Sequence, residues 1–197
     1  MSLLEVKDVS FSYQSRYQTN RVLNGVSCEF EAGKVYAVVG KSGSGKSTML
    51  SLLGGLDVPD EGEVLFKQES TSKMNLSRYR LESAAMIYQS FRLLPLLTVS
   101  ENITLPMELR GFRGKPARDK AKELVTRVAL PDSVLDRFPG MLSGGEQQRV
   151  AIARSLSMDT NLLLADEPTG NLDEENSQNI VDILVSIAHR DGYCVVI

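Results

Sequence analysis

The chain has 197 residues, of which 42% are hydrophobic, and it carries a formal net charge of −3 at pH 7. This is enough apolar sequence for one globular domain with a full core, and the slightly acidic balance argues against a general affinity for nucleic acid or for anionic lipid. The sequence has no run of about 18 apolar residues and no basic segment leading into an apolar stretch at its start, so it predicts neither a membrane span nor an export signal.

The first third of the chain reads as strands around a glycine-rich loop. Apolar and β-branched runs bounded by turn residues predict strands at 3–13, 21–31, 34–39 and 61–67. An apolar helix is predicted at 47–56, directly after the loop. The order strand, loop, helix is the context in which a glycine-rich loop binds phosphate.

The loop itself matches the pattern G-x-x-x-x-G-K-[ST]. In this pattern backbone N–H groups wrap a phosphate, the lysine ammonium neutralises it, and the hydroxyl after the lysine reaches a magnesium ion. The sequence therefore predicts a site for a nucleoside triphosphate and Mg²⁺. The predicted binding residues are Gly40, Lys41, Ser42, Gly43, Ser44, Gly45, Lys46, Ser47 and Thr48.

The middle of the chain changes from strand to helix. A strand is predicted at 84–88, ending at Gln89, and helical spacing follows at 100–109 and 116–129. We expect a helical subdomain at 91–158, inserted into a core made of 1–90 and 159–197. Within the insert, the apolar side chains of 91–97 fit either the insert's own core or a groove for a helix of another protein; they are Phe91, Leu93, Leu94, Leu96 and Leu97.

Ser143, Gly144 and Gly145 precede a run of good helix formers at 146–156. Ser143 is a predicted N-cap, and the two glycines allow an anion to approach the start of the helix. By themselves these three residues fit an ordinary helix cap as well as a second phosphate site.

The last third returns to alternating strands and helices. A buried strand is predicted at 161–165, so Asp166 projects from its carboxyl end, where ligands of open α/β sheets bind. Ser47 and Asp166 are the predicted magnesium ligands, and Glu167 is placed to orient a water molecule for in-line attack. Asp173 caps a helix that Gly192 ends, and a last strand is predicted at 193–197. Strands alternating with crossover helices indicate a largely parallel α/β sheet.

Two further features bear on the cellular setting. Cys28 and Cys194 both lie in apolar, strand-like contexts, which predicts buried free thiols in a reducing, cytoplasmic compartment. The basic stretch 110–122 has acidic residues among its lysines and arginines, so we expect a solvated helix face and no nucleic-acid partner.

The phosphate loop, the run Leu-Ser-Gly-Gly-Glu-Gln-Gln-Arg-Val-Ala-Ile-Ala-Arg from 142 to 154, and the run Leu-Leu-Leu-Ala-Asp-Glu-Pro from 162 to 168 occur in that order. With them the chain resembles the nucleotide-binding subunits of ATP-binding cassette (ABC) transporters over essentially its whole length. The resemblance implies an α/β P-loop NTPase fold with a mostly parallel central sheet, an N-terminal antiparallel β-subdomain and an inserted α-helical subdomain. It also implies ATP and Mg²⁺ as ligands, with ATP hydrolysed to ADP and phosphate.

Roles for individual residues follow from the same resemblance. It identifies 40–48 as the Walker A loop, 162–166 as the Walker B strand, 142–146 as the signature and 171–173 as the D-loop. Glu167 is then the catalytic carboxylate, acting with Lys46, while Gln89 contacts the metal and the attacking water. Tyr13 matches the aromatic residue that stacks on adenine, although a strand-end core tyrosine is the alternative. Signature contacts to a second nucleotide are implied for Ser143, Gly144, Gly145 and Glu146, the last standing where many signatures have glutamine.

The resemblance also implies partners. Two copies are expected to pack head to tail around ATP, each signature capping the other's γ-phosphate. An integral membrane permease is expected to hold them at the inner face of the cell membrane. The segments 88–95 and 166–173 look most like the cassettes of macrolide, lipoprotein and antimicrobial-peptide exporters, and the alternative is a regulatory, division-type cassette that recruits partners without transport.

The family also carries a switch histidine shortly after the strand predicted here at 193–197. His189 precedes that strand and is no substitute. We therefore expect a chain truncated at its C-terminus, with ATP binding but weak or absent hydrolysis.

Overall fold

The computed structural model describes residues 2–15 and 18–197. Two sheets and two groups of helices make up these residues. In chain order the elements are β1 (Ser2–Gln14), β2 (Thr19–Glu31), β3 (Val35–Tyr36), α1 (Lys46–Leu53), β4 (Glu61–Phe66), β5 (Glu69–Ser70), α2 (Leu76–Glu82), β6 (Ala84–Tyr88), α3 (Val99–Leu109), α4 (Lys115–Arg127), α5 (Gly144–Leu156), β7 (Leu162–Asp166), α6 (Glu174–Asp191) and β8 (Cys194–Val196).

The first sheet is antiparallel, with strand order β2-β1-β4-β5. Its two long strands pair in a register that sets Leu4 opposite Phe30 and Val6 opposite Cys28. Because side chains alternate between the two faces of a strand, Leu4 and Val6 point to the same buried side. The sheet is the N-terminal antiparallel β-subdomain that the resemblance implied.

The second sheet has strand order β3-β8-β7-β6, and all of its pairings are parallel. Its central strand β7 is a continuous apolar run that is buried from Leu162 to Ala165, as expected for a strand covered on both faces. The carboxyl ends of parallel strands meet at one edge of a sheet. The phosphate loop after β3, Asp166 of β7 and Gln89 after β6 are therefore brought to the same edge, and the predicted fold class is confirmed.

Alternate residues of β7 join different cores. Leu162 and Leu164 pack with β1, β4 and α1, whereas Leu163 and Ala165 pack with α3 to α6. Each face of the parallel sheet thus has its own apolar cluster, and β7 belongs to both.

Several element boundaries differ from the sequence prediction. The strand expected at 34–39 is regular only over Val35–Tyr36, because the chain leaves the ladder toward the glycine-rich loop, with Val39 87% exposed. One bond continues the pairing past that point, from the Val38 N–H to the Ile197 carbonyl at 2.7 Å. The helix predicted at 47–56 ends earlier, at Leu53, before two glycines. The prediction missed α2 and β5, which are short and lack strong periodicity.

The helix ends follow the capping residues of the sequence. The Asp173 side chain accepts a bond from the Asn176 N–H at the start of α6, and Gly192 ends α6 with a left-handed backbone. Thr98 and Glu101 form a capping box at the start of α3. In the parts of the chain that the structure describes, no helix combines the length and the apolar character that crossing a membrane requires.

Candidate functional site

The phosphate loop connects β3 to α1 and begins its helix at Lys46. The N-cap residue Gly45 has a left-handed backbone (φ 96°). The Lys46 Nζ donates to the carbonyls of Gly40 and Lys41, at 3.0 and 3.2 Å. The ammonium therefore lies across the loop at the start of α1, where the first N–H groups of any helix have no partner within the helix. This is the positive concavity that an anionic phosphate group fits.

Ser47 and Asp166 meet across the sheet edge although they are far apart in sequence. The Ser47 hydroxyl donates to Asp166 Oδ1 at 2.9 Å. A hydroxyl and a carboxylate are hard oxygen donors of the kind that Mg²⁺ selects, and Mg²⁺ needs few protein ligands because it keeps several waters. The pair that was predicted as magnesium ligands fits that ion.

Tyr13 lies beside the first turn of α1. Its hydroxyl is 3.2 Å from Thr48 Oγ1, and its ring packs edge-on against Phe11 with centroids 5.1 Å apart. The side chain is 49% exposed, so one face of the ring is accessible. This exposure disfavours the core-tyrosine interpretation and is compatible with stacking on a base.

Gln89 follows β6 and contacts the D-loop. Its Nε2 donates to Asn171 Oδ1 at 3.3 Å, and Asn171 Nδ2 donates back to the Gln89 carbonyl at 3.1 Å. The sequence analysis assigned a role to Gln89 and placed Asn171 in the D-loop, but it did not predict that the two residues bond to each other.

Glu167 follows Asp166 at the carboxyl end of β7 and is exposed. Its backbone is left-handed (φ 48°), a conformation that is uncommon for a residue with a side chain. The next residue, Pro168, is bonded to the helix α5: the fully buried Gln148 of α5 donates its Nε2 to the Pro168 carbonyl at 2.8 Å. Among the described residues, Gln148 Oε1 has no hydrogen-bond partner.

The signature residues begin α5 in a capping box. The Ser143 N–H donates to Glu146 Oε2 at 2.8 Å, and the Glu146 N–H donates to Ser143 Oγ at 3.3 Å. The bond from the Ser143 N–H favours the ionised carboxylate, so it holds the pKa of Glu146 below its usual value. Glu146 therefore has a structural contact of its own within this chain. No contact that the structure gives Ser143, within 2–15 and 18–197, reaches the phosphate loop.

Arg154 at the other end of α5 was not among the predicted site residues. Its guanidinium donates to the carbonyls of Phe91 and Arg92, at 3.0 and 2.6 Å, and both residues have left-handed backbones. Burial lowers the Arg154 pKa from its ordinary value. The sequence could not predict this contact, because an arginine in a helical pattern does not indicate which distant carbonyls it will bond once the helix is packed.

The apolar segment 91–97 is not part of the hydrophobic interior. Leu94 is 43% and Leu96 87% exposed, whereas Leu93 packs on the edge of the larger apolar cluster. Of the two interpretations offered for this segment, core packing is disfavoured by this exposure. The backbone is nevertheless fixed, since the fully buried Asn102 bonds the carbonyls of Leu94, Leu97 and Thr98.

Comparison with known proteins agrees with this geometry. The family described as "ABC transporter" matches residues 23–170 of the chain. The lipoprotein-releasing system ATP-binding protein LolD of Myxococcus xanthus is 40% identical over 200 residues, covering 100% of this chain and 89% of that protein. The uncharacterized ABC transporter ATP-binding protein YclH of Bacillus subtilis is 39% identical over 196 residues, covering 100% of this chain and 86% of its own length. The macrolide export ATP-binding/permease protein MacB of Hyphomonas neptunium is 40% identical over 198 residues, which are 99% of this chain and 30% of MacB.

A solved structure is also similar over nearly the whole chain. The ATP-binding cassette MJ0796, a dimer in a post-hydrolysis state bound to ADP and Pi, superimposes with a TM-score of 0.89 at 35% identity. The match covers 98% of this chain and 86% of that one.

Proposed function

Since the chain belongs to the ABC transporter family and is an ATP-binding subunit of that family, we propose that it hydrolyses ATP to drive a separate membrane permease. The Ser47–Asp166 contact at the edge of the parallel sheet carries this proposal, because it joins the phosphate loop to the Walker B strand. We further propose that residues 1–90 and 159–197 form the nucleotide-binding core and 91–158 the helical subdomain.

We assign the chemistry to residues at that edge. Lys46 and the N–H groups of α1 bind the phosphates, and Tyr13 stacks on the adenine. Ser47, Asp166 and Gln89 would hold Mg²⁺. When bound, this ion would neutralise negative charge on the phosphate groups of ATP and on the departing ADP. Glu167 accepts a hydrogen bond from the attacking water and orients it for in-line displacement.

The signature serves a second copy of the chain in this proposal. In the described residues the Ser143 hydroxyl bonds only along its own helix, and it lies on α5, whereas Lys46 begins α1. We propose that Ser143, Gly144 and Gly145 of one protomer, with Glu146 beside them, close over the γ-phosphate held by its partner. The dimer of MJ0796 supports this arrangement.

We propose a membrane permease as the second partner, with export of a lipoprotein, a macrolide-like compound or a peptide. The name of the MacB relative supports a permease and macrolide export, and the name of the LolD relative supports a lipoprotein substrate. The exposed leucines of 91–97 are the surface on which we place the permease helix. The protein then acts at the cytoplasmic face of the membrane through that contact.

The test uses Glu167→Gln in the full chain. The amide still accepts a hydrogen bond but is a much weaker base, so we expect unchanged ATP binding, phosphate release slower than that of the parent chain, and a dimer on size exclusion with Mg²⁺ and ATP. The matched control is Glu123→Gln, the same change at an exposed position of α4, which should turn over like the parent chain.

Two outcomes would contradict the proposal. A Glu167→Gln protein that binds ATP yet remains monomeric at micromolar concentration argues against the two-copy arrangement. A parent chain that binds no ATP argues against the assigned function as a whole.

A further inference from the structure

We propose that Asn171 is a positioning residue that orients the Gln89 side-chain amide so that its oxygen, and not its nitrogen, is available to the metal. This inference rests on the proposed function of the site. It concerns two loops that leave the sheet edge next to each other, one after β6 and one after β7.

The orientation follows from donor and acceptor chemistry. A backbone carbonyl can only accept, so Asn171 must present its NH₂ group to the Gln89 carbonyl, at 3.1 Å. Its other atom, Oδ1, is then the one that meets the Gln89 side chain, at 3.3 Å. An oxygen acceptor requires a donor, so Gln89 must use Nε2 for this contact. Gln89 Oε1 is therefore the atom that the Asn171 contact does not use.

The backbone of Gly170 also contacts the Gln89 side-chain amide. A Cβ placed on Gly170 would lie 2.5 Å from Gln89 Nε2 and 3.1 Å from its Cδ. The amide thus lies directly against the Gly170 backbone, in space that any other residue at 170 would fill. Both contacts come from the segment that follows Glu167, so the Gln89 amide is held by the same loop that carries the proposed catalytic carboxylate.

The consequence concerns the metal. Mg²⁺ binds oxygen and not amide nitrogen, so a glutamine ligand contributes only in one of its two amide orientations. Without Asn171 the amide is free to rotate, and part of the population presents nitrogen to the metal. Groups that orient a metal ligand affect metal affinity without touching the ion.

The experiment measures binding of a non-hydrolysable ATP analogue by calorimetry, once with excess Mg²⁺ and once with EDTA. The ratio of the two dissociation constants reports the gain that Mg²⁺ supplies and does not depend on turnover. We expect Asn171→Leu to reduce this gain roughly two- to tenfold, because the amide then presents oxygen to the metal in only about one half to one tenth of the population, while affinity in EDTA stays within about twofold. Asn179→Leu, the same change at an exposed position of α6, should leave both values unchanged.

A double-mutant cycle with Gln89→Ala separates positioning from a general effect. If Asn171 acts through the Gln89 amide, then Asn171→Leu has no further effect on the Mg²⁺ gain in the Gln89→Ala background. Equal losses with and without Mg²⁺, an unchanged gain in Asn171→Leu, or a full effect in the Gln89→Ala background would each overturn the inference. A parent chain with no Mg²⁺-dependent gain would instead count against the proposed function.

Discussion

At the scale of single residues, the space around a glycine determines whether a larger residue could replace it. The two glycines of the signature differ in this respect. A Cβ on Gly145 would lie 2.2 Å from Oδ1 of Asn176, whereas one on Gly144 has its nearest neighbour at 3.5 Å. Asn176 cannot easily move, because its Nδ2 also bonds both carboxylate oxygens of Asp173, the cap of α6. Two adjacent glycines of one motif are therefore expected to differ in how well they tolerate substitution by alanine.

This difference predicts that Gly145→Ala is destabilised by about 1 to 3 kcal/mol, since overpacking forces α5 and α6 apart. Gly144→Ala should change stability by less than about 1 kcal/mol, because it meets only ordinary contacts. Urea unfolding without nucleotide measures both values. Equal stability of the two variants would show that the Asn176 contact yields at little cost.

A second residue-scale prediction concerns pH. The capping bond from the Ser143 N–H holds the pKa of Glu146 below its ordinary value of 4.5, so its contribution to stability is present above that ordinary value and is lost as pH falls through the folded pKa. We expect Glu146→Gln to be less stable than the parent chain at pH 7, with the difference shrinking and then vanishing as the pH falls through the folded pKa of Glu146. Thermal unfolding across that range measures the difference, and a gap that stays constant with pH would exclude this role for the carboxylate.

At the scale of elements, α3 and α5 hold the irregular segment that follows Gln89. Arg154 of α5 bonds the carbonyls of Phe91 and Arg92. Asn102 of α3 bonds three more carbonyls at 3.0 Å each and accepts the Leu94 N–H at 2.8 Å. A segment with exposed leucines thus keeps a defined backbone without burying its side chains, as a docking surface requires.

Loss of the Asn102 amide should release this segment selectively. Asn102→Leu has a similar volume but leaves the Leu94 N–H unpaired, so we expect a stability loss of about 1 to 3 kcal/mol. Hydrogen exchange of the Leu94 amide should become at least tenfold faster. Thr104→Val removes a buried hydroxyl from the same helix and serves as the control, with Leu94 exchange unchanged. Slow exchange at Leu94 in both variants would mean that other contacts fix the segment.

At the scale of the whole molecule, the parallel sheet joins the two apolar clusters into one cooperative unit. β7 contributes side chains to both clusters, and β8 lies between β7 and β3. Cys194 of β8 is fully buried, while Cys28 of β2 is only partly buried. The two thiols therefore report on different parts of the fold.

Burial raises the pKa of the Cys194 thiol from its ordinary value of 9.0 to about 12. The thiolate is the reactive form, so Cys194 should react with iodoacetamide at pH 8 on the order of a thousandfold more slowly than an exposed thiol. We expect Cys28→Ser, which leaves one thiol, to be alkylated only at urea concentrations that unfold the chain. Mass spectrometry of the alkylated peptide is the measurement. Labelling of Cys194 well below the unfolding midpoint would show that β8 opens locally.

The raised pKa of Cys194 also predicts how the stability of the fold changes at alkaline pH. A folded pKa above the unfolded value means that stability is intact below about pH 9 and falls as pH rises toward 12.

The sequence by itself determined the fold class, the order of the strands along the chain, and the identity of the phosphate loop and the buried strand before Asp166. These rest on local signals, namely hydrophobic periodicity, helix caps and a glycine pattern, which act over a few residues. Even so, short elements such as α2 lacked a strong period and were missed.

Only the tertiary structure decided which of these segments touch. The bonds between Gln89 and Asn171, and those from Arg154 to the carbonyls of residues 91 and 92, join positions that are remote in sequence and that the motifs did not pair. The order of the strands in a sheet, which sets these distances, depends on how apolar faces are covered by helices from elsewhere in the chain. Such contacts leave no local pattern, because either partner alone looks like an ordinary polar residue in a loop or helix.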